Sequence, residues 1–440
     1  MPRSRFLALA ALAASGCAPT SLPPANESAP VVIVGAKLID GSGAAPIDDS
    51  VIVIEGRRIR AAGPRSHTPV PKGGEIIDGI GKTVIPGLVD THVHYFGDRA
   101  AVERGFRAQL YFGVTTTRSI GVDSDETLAI IEEARLGKIP APRIYTAGRG
   151  FSAPDGHPVG LPIRRPATPE AAREDVRQLA VQKVDFTKMW VESKHNTVPK
   201  ITPEIRQAIV EEAGKQGIRA VAHISDEADL LQLANLGVTD FLHTVRDKEQ
   251  ASGALVQMAK EKGLTFSPTL CSADSSFHLA EHPEVISDAE FRAALAADVL
   301  AELDKPETIK NLLAGPDIPL LKAEFQRALD FITRMHDAGV RLAAGSDGGA
   351  GRIAPGWGTH HEMELMAAAG IAPLDVIRAA TGNGAALLER GEPEYGTIEA
   401  GKLADLILLG ADPVADVTNT RKIERVMQAG AWVDRARLLQ

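Results

Sequence analysis

Cysteine is nearly absent from this 440-residue chain, which has only Cys17 and Cys271. Cys17 falls in an N-terminal processing segment, so Cys271 stands alone, and no internal disulfide is possible in the mature chain. Cys271 therefore reads as a small buried apolar residue. Clusters of Lys and Arg are also missing, as is any aromatic–basic alternation, and the net charge is −9. Together these argue against a nucleic-acid surface. There is no internal repeat and no heptad run, which excludes solenoids and coiled coils. What remains is ordinary for a globular protein: 44% hydrophobic and 24% charged residues. The 28 prolines and 41 glycines are spread along the chain, as many short connections require. The length suits one barrel domain plus a smaller one.

The N-terminus reads as a secretory signal. Arg3 and Arg5 precede an apolar run from Phe6 to Ala14, followed by Ser15-Gly16-Cys17. The run is too short to span a bilayer as a helix. Small residues directly before Cys17 resemble a bacterial lipobox with Cys17 acylated, although Ala14 stands where Leu or Val is commoner. A plain cleaved signal is the other reading. The expected location is accordingly outside the cytoplasm, in the periplasm or cell envelope, with residues 18–30 as a tether and a lipid on Cys17 as the one membrane contact.

Short strand-like runs fill residues 31–83 (Val31 to Leu38, Val51 to Ile59, Glu75 to Asp78) and return at 396–440 (Gly396 to Leu409, Ile423 to Val433). Neither end has enough apolar length to close a core alone, so a small β-sandwich built from both ends is expected. Residues 84–395 alternate strands and helices. Eight strand-like runs begin at Val84, Gly113, Arg143, Phe186, Arg219, Asp240, Thr265 and Arg341. Amphipathic stretches such as Thr202 to Gln216, Glu227 to Leu236 and Lys322 to Ala338 separate them, and Thr202-Pro203 opens one as N-cap and first turn. The expected fold is α/β, a (β/α)8 TIM barrel. Ser272 to Pro319 is an insertion after the seventh strand, helical from Asp288 to Leu303, placed to act as a lid or pocket wall.

The chemistry lies at the C-terminal ends of those strands, where a barrel of this kind builds its site. His92 and His94, two apart on a strand, face the same side, and neutral imidazole binds Zn, Fe, Ni and similar ions. The later strands end in Lys188, His223, His243 and Asp347. Singly, each has a structural explanation: a surface lysine, core histidines, a turn or cap aspartate. All of them at the same end of the right strands point to a metal.

At this point the chain resembles the amidohydrolase superfamily. The motifs are Pro86-Gly87-Leu88-Val89-Asp90-Thr91-His92-Val93-His94, Asp185-Phe186-Thr187-Lys188, Ala222-His223, Phe241-Leu242-His243 and Gly345-Ser346-Asp347, closed by Gly396 to Leu406. The branch resembled is that of imidazolonepropionase-like and Xaa-Pro-dipeptidase-like enzymes, on Thr359 to Leu365 with Ala380-Thr381. The resemblance implies a binuclear centre. His92, His94 and Asp347 would hold one divalent ion, and His223 and His243 a second. Lys188, carboxylated by CO2, would bridge them, and Zn suits such a donor set. It also implies that a hydroxide between the ions attacks a carbonyl, with Asp347 as general base and then general acid.

The substrate is less legible. Arg246, just beyond the strand that ends in His243, is a candidate for binding a substrate carboxylate. His157 is a candidate donor to the carbonyl oxygen, and Tyr95 and Trp190 are candidate pocket walls. The leading expectation is hydrolysis of an amide or peptide bond in a small molecule such as a dipeptide or N-acyl amino acid. Competing readings are a lactone, carbamate or ester hydrolase using the same site, a mononuclear deaminase (which Lys188 argues against), and a non-catalytic metal- or ligand-binding envelope lipoprotein. A homo-oligomer stays open.

Overall fold

The computed structural model describes residues 29–275, 277–314 and 317–440, the side chains of Ile309, Leu312 and Leu313 aside. The signal, Cys17 and nearly all of the proposed tether lie outside the described residues. Among the described residues no helix is long and apolar enough to cross a membrane.

Two parallel sheets form the middle part of the chain. One has three strands, Leu88–Val93, Val114–Ser119 and Arg143–Thr146. The other has five, Phe186–Val191, Arg219–Ile224, Asp240–Leu242, Thr265–Ser267 and Arg341–Leu342. Single parallel bridges join them at both seams, Phe151 to Met189 and Val93 to Gly348. Thr91 N–H donating to Ala344 O adds to the second seam. The result is the (β/α)8 barrel expected from the strand–helix alternation. Its helices pack a continuous apolar shell that includes Val176, Leu179, Ile209, Leu230, Leu255 and Ile332. Thr202 caps the helix Pro203–Lys215, its hydroxyl accepting from Ile205 N–H, the role its place before a proline suggested.

The first strand departs from expectation. Val84 to His94 is not one strand. Thr83–Pro86 belongs to the sheet of the chain ends, and the barrel begins at Leu88. The break is at Gly87, where a Cβ would come within 2.3 Å of Thr115 Oγ1, so only glycine lets the chain pass there.

Both chain ends enter a single eight-stranded sheet. Leu406–Leu409 pairs antiparallel with Thr83–Pro86, which pairs parallel with Val31–Leu38. The sheet folds back on itself around a shared core, as the small β-sandwich expected from both chain ends would require. Ile59 N–H donates to Lys402 O and Ala404 N–H to Arg57 O, and Ile33, Ile54, Ile59, Leu406 and Met427 meet in one buried cluster.

The insertion contains several short helices. The stretch expected as one helix from Asp288 to Leu303 is two, Ala289–Ala294 and Ala297–Leu303. Leu295 and Ala296 between them are extended, with ψ of 153° and 150°. Cys271 is buried, and its Sγ lies 3.2 Å from the Gly358 carbonyl.

Candidate metal centre

Strand alternation points His92 and His94 to the same side, with their Nε2 atoms 3.2 Å apart. Asp347 Oδ1 is 3.2 Å from His92 Nε2 and 3.0 Å from His94 Nε2. Lys188 Nζ, from the fourth barrel strand, lies 3.3 Å from His92 Nε2. The His243 ring is 5.1 Å from that of His92 and 4.0 Å from that of His223. The structure thus gathers all six candidates at one end of the barrel. All six are buried, and His92, His243 and Asp347 each offer a ligand atom within 4.8 Å of the other two.

The backbone bends to achieve this. His243 has φ +67° and Asp347 φ +61°, the left-handed region that non-glycine residues rarely enter. His243 directly follows its strand, Asp240–Leu242, and Asp347 comes five residues after Leu342. Asp347 N–H donates to His92 O. Asp90 fastens first to last strand by accepting from Ser346 N–H at 3.0 Å, Ser346 Oγ at 2.6 Å and Thr359 Oγ1 at 2.7 Å. Beneath the cluster, buried Arg118 is bonded to Asp240 and donates to the Thr91 carbonyl at 2.7 Å.

The electrostatics suit cations. Burial pushes His92, His94 and His243 below the ordinary imidazole range, and His223 down to about 3. They are therefore neutral, the form that binds metal. Burial alone would raise the Asp347 carboxyl, but His92 and His94 hold it well below its usual value. Burial lowers the Lys188 amine to about 7, with Asp347 opposing and Arg118 adding to the fall. The buried Nδ1 atoms of His92, His94 and His223 have no hydrogen-bond partner. Four neutral imidazoles, one carboxylate and an amine near neutrality, packed together with few hydrogen-bonding partners of their own, fit divalent ions far better than they fit one another.

Sequence reading missed Glu192. It is buried, and Oε2 accepts from His223 Nε2 at 3.0 Å, Lys194 Nζ at 3.3 Å and Arg246 Nη2 at 3.3 Å. Burial alone would raise its pKa, but these partners hold it well below the usual carboxylate range. The signal was available: positions 188, 190 and 192 share one face by strand alternation. Arg246 is thus engaged by a protein carboxylate at the edge of the site. His157 is half-buried, its ring 5.7 Å from that of His223, and burial lowers it to about 4. Trp190 packs against Lys188, whose Nζ lies 4.3 Å from the ring centroid. Tyr95 is held by a bond from its hydroxyl to Thr117 Oγ1 at 3.0 Å and by edge-on packing of its ring against Phe106. It lines a cavity beside His94 together with Phe96, Arg104, Leu295, Val299 and Ile353, so the insertion does supply a wall.

This fold and site define a metal-dependent hydrolase of carbon–nitrogen bonds. The chain belongs to the amidohydrolase family, whose model matches residues 83–433. It is 24% identical to ochratoxinase from Aspergillus niger over 91% of this chain and 85% of that one. It is 26% identical to imidazolonepropionase from Symbiobacterium thermophilum over 83% and 85%. Among solved structures, a prolidase candidate from Bifidobacterium longum superposes with a TM-score of 0.74 at 26% identity, covering 92% of this chain and 95% of that one.

Proposed function

We propose that this protein hydrolyses an amide or peptide bond in a small substrate of the dipeptide or N-acyl amino acid type, at a binuclear centre. The observation that carries this is the Lys188 amine, fully buried and 3.3 Å from His92 Nε2. An amine lowered to about 7 is substantially unprotonated near neutral pH and could take up CO2 with loss of a proton, and the carbamate would then offer anionic oxygen donors to the ions. His92, His94 and Asp347 would hold one ion, and His223 and His243 the other, with Zn the best match to the donors. When bound, the ions supply Lewis acidity, polarising the carbonyl and bringing a water's pKa towards neutrality.

The protein's own part is proton traffic and orientation. Asp347 takes the proton of the water as it adds to the carbonyl carbon. It returns that proton to the nitrogen as the C–N bond breaks, leaving a carboxylate and an amine. Neutral His157 donates to the carbonyl oxygen as it gains charge. Arg246 offers a cation to a substrate carboxylate, and its link to Glu192 fixes its direction. The similarity to a prolidase candidate and to ochratoxinase supports the amide reading.

The test is a panel of dipeptides, N-acyl amino acids, carbamates and lactones, assayed with metal-loaded protein alongside metal analysis. Cleavage of amides with about two ions per chain is expected. Hydrolysis confined to lactones, or no turnover in protein with both sites loaded, would overturn the reading.

A further inference from the structure

Away from the barrel mouth's ligand set, three other metal-type side chains converge. Asp274 ends the short helix Leu270–Asp274 and His278 opens the next, His278–Glu281. His361 comes from the helix Trp357–Ala368, after the eighth strand. His361 Nε2 is 2.8 Å from Asp274 Oδ2, and His278 Nδ1 is 3.4 Å from that same oxygen. The two imidazole rings are 4.1 Å apart. One ligand atom from each residue lies within 4.8 Å of the others. A tetrahedral ion with bonds of about 2.0–2.1 Å holds its ligand atoms roughly 3.4 Å apart, so the cluster needs only a small expansion to accept one.

We infer that Asp274, His278 and His361 form an additional binding site for a borderline divalent cation such as Zn2+, separate from the catalytic centre. Three further observations support it. The second nitrogen of His361 is already engaged as a metal ligand's usually is: Nδ1 faces Glu364 Oε2 at 3.5 Å, and Glu364 is fixed by Arg421, whose Nε lies 2.5 Å from Oε1. His278 Nε2 is buried without a hydrogen-bond partner. A small cavity bounded by Asp274, His278, His361 and Trp357 lies at the cluster, with room for the solvent ligand that a three-residue site requires. Two imidazoles with one carboxylate select Zn, Ni or Cu over Mg or Ca. The ion would add a tie between the start of the insertion and the helix after the eighth strand, beside the existing bonds from Cys271 to Glu362 and Gly358. The competing occupant is a proton on His361, shared by Asp274 and Glu364.

The test uses full-length protein equilibrated with excess Zn2+ and gel-filtered. His278→Gln, at a partly exposed position, is the mild variant, and His361→Gln the second. Metal analysis is expected to find one equivalent fewer in each variant than in the unaltered protein, while turnover is retained. Zn2+ should also raise the Tm of the unaltered protein further than that of His278→Gln. An anomalous difference peak among the three side chains is expected in a Zn2+-soaked crystal, and it remains a test should either variant fail to fold. Equal metal content in all three proteins, or the absence of that peak, would overturn the inference. Loss of the catalytic metals alone, by substitution of Lys188, would leave the difference between His278→Gln and its parent intact.

Discussion

Lys188 Nζ sits 3.3 Å from Nε2 of His92, buried and without a carboxylate in ion-pair contact among the described residues. A lysine kept for stability would be paired, because an isolated buried ammonium is costly. Lys188→Ala is therefore expected to lower metal occupancy below two ions per chain and to reduce kcat/KM by at least about 100-fold. Metal analysis with kinetics decides the matter: full binuclear occupancy in the variant would refute the bridging role.

Asp347 is bound to both first-strand histidines, at 3.2 and 3.0 Å, and is the one carboxylate among the six candidates. Asp347→Asn keeps a neutral oxygen ligand but cannot carry the proton. Metal content should change little, while kcat falls by about 10²–10⁴-fold, the usual worth of a general acid–base group. A variant within tenfold of the parent would remove Asp347 from that role.

Glu192 acts through His223. It orients the ring through Nε2 and leaves Nδ1 buried and unpartnered, free for an ion. Glu192→Gln keeps the shape but loses the charge that balances Lys194 and Arg246. Affinity for the ion on the His223 side is expected to fall about 10–100-fold, as for other partners of metal-ligating histidines. The first ion, held by His92, His94 and Asp347, should stay. A competitive chelator titration that resolves two steps measures this, and an unshifted weaker step would count against the assignment.

Strand periodicity made the barrel legible, because each parallel strand is a short apolar run bounded by helices. The fourth and fifth strands match expectation at Phe186–Val191 and Arg219–Ile224. The last three are short, ending at Leu242, Ser267 and Leu342, and beyond them His243, Thr269 and Asp347 take φ of +67°, +52° and +61°. No residue pattern announces a left-handed histidine or threonine. His92 and His94 were visible through local spacing. The role of Asp90 was not, because its partner Ser346 is 256 positions away; Glu192 shares a face with Lys188 by alternation, but only its bond to His223, 31 positions away, ties it to the site.

Arg118 and Asp240 form a buried pair under the site, reinforced by a second contact of 3.3 Å between Nη2 and Oδ1. Arg118 also bonds the Thr91 carbonyl between Asp90 and His92. Removing one partner leaves the other charge buried and uncompensated, which costs about 3–5 kcal/mol. Asp240→Asn is expected to lose that much in urea unfolding. Replacing both residues by apolar ones, as in Arg118→Met with Asp240→Leu, should cost distinctly less than the single change. Equal losses would mean that the pair contributes through packing alone.

Asp123 gives a pH signature separate from the metals. It is buried between Ser119 Oγ, at 2.5 Å, and the Thr146 hydroxyl. Burial raises its carboxyl to about 6 from an ordinary 3.8, against those two hydroxyl donors. A raised carboxyl binds its proton more tightly folded than unfolded. Its contribution is therefore favourable at low pH, declines as pH rises from about 4 to about 6, and is constant above that. The linkage relation sets the change at roughly 3 kcal/mol. Asp123→Asn has no proton to lose there. Relative to the parent, the variant's stability should therefore rise between pH 4 and 6 and then level off, as followed by urea midpoints at matched pH values. A difference that stayed flat through that window would show that Asp123 titrates normally in the folded protein.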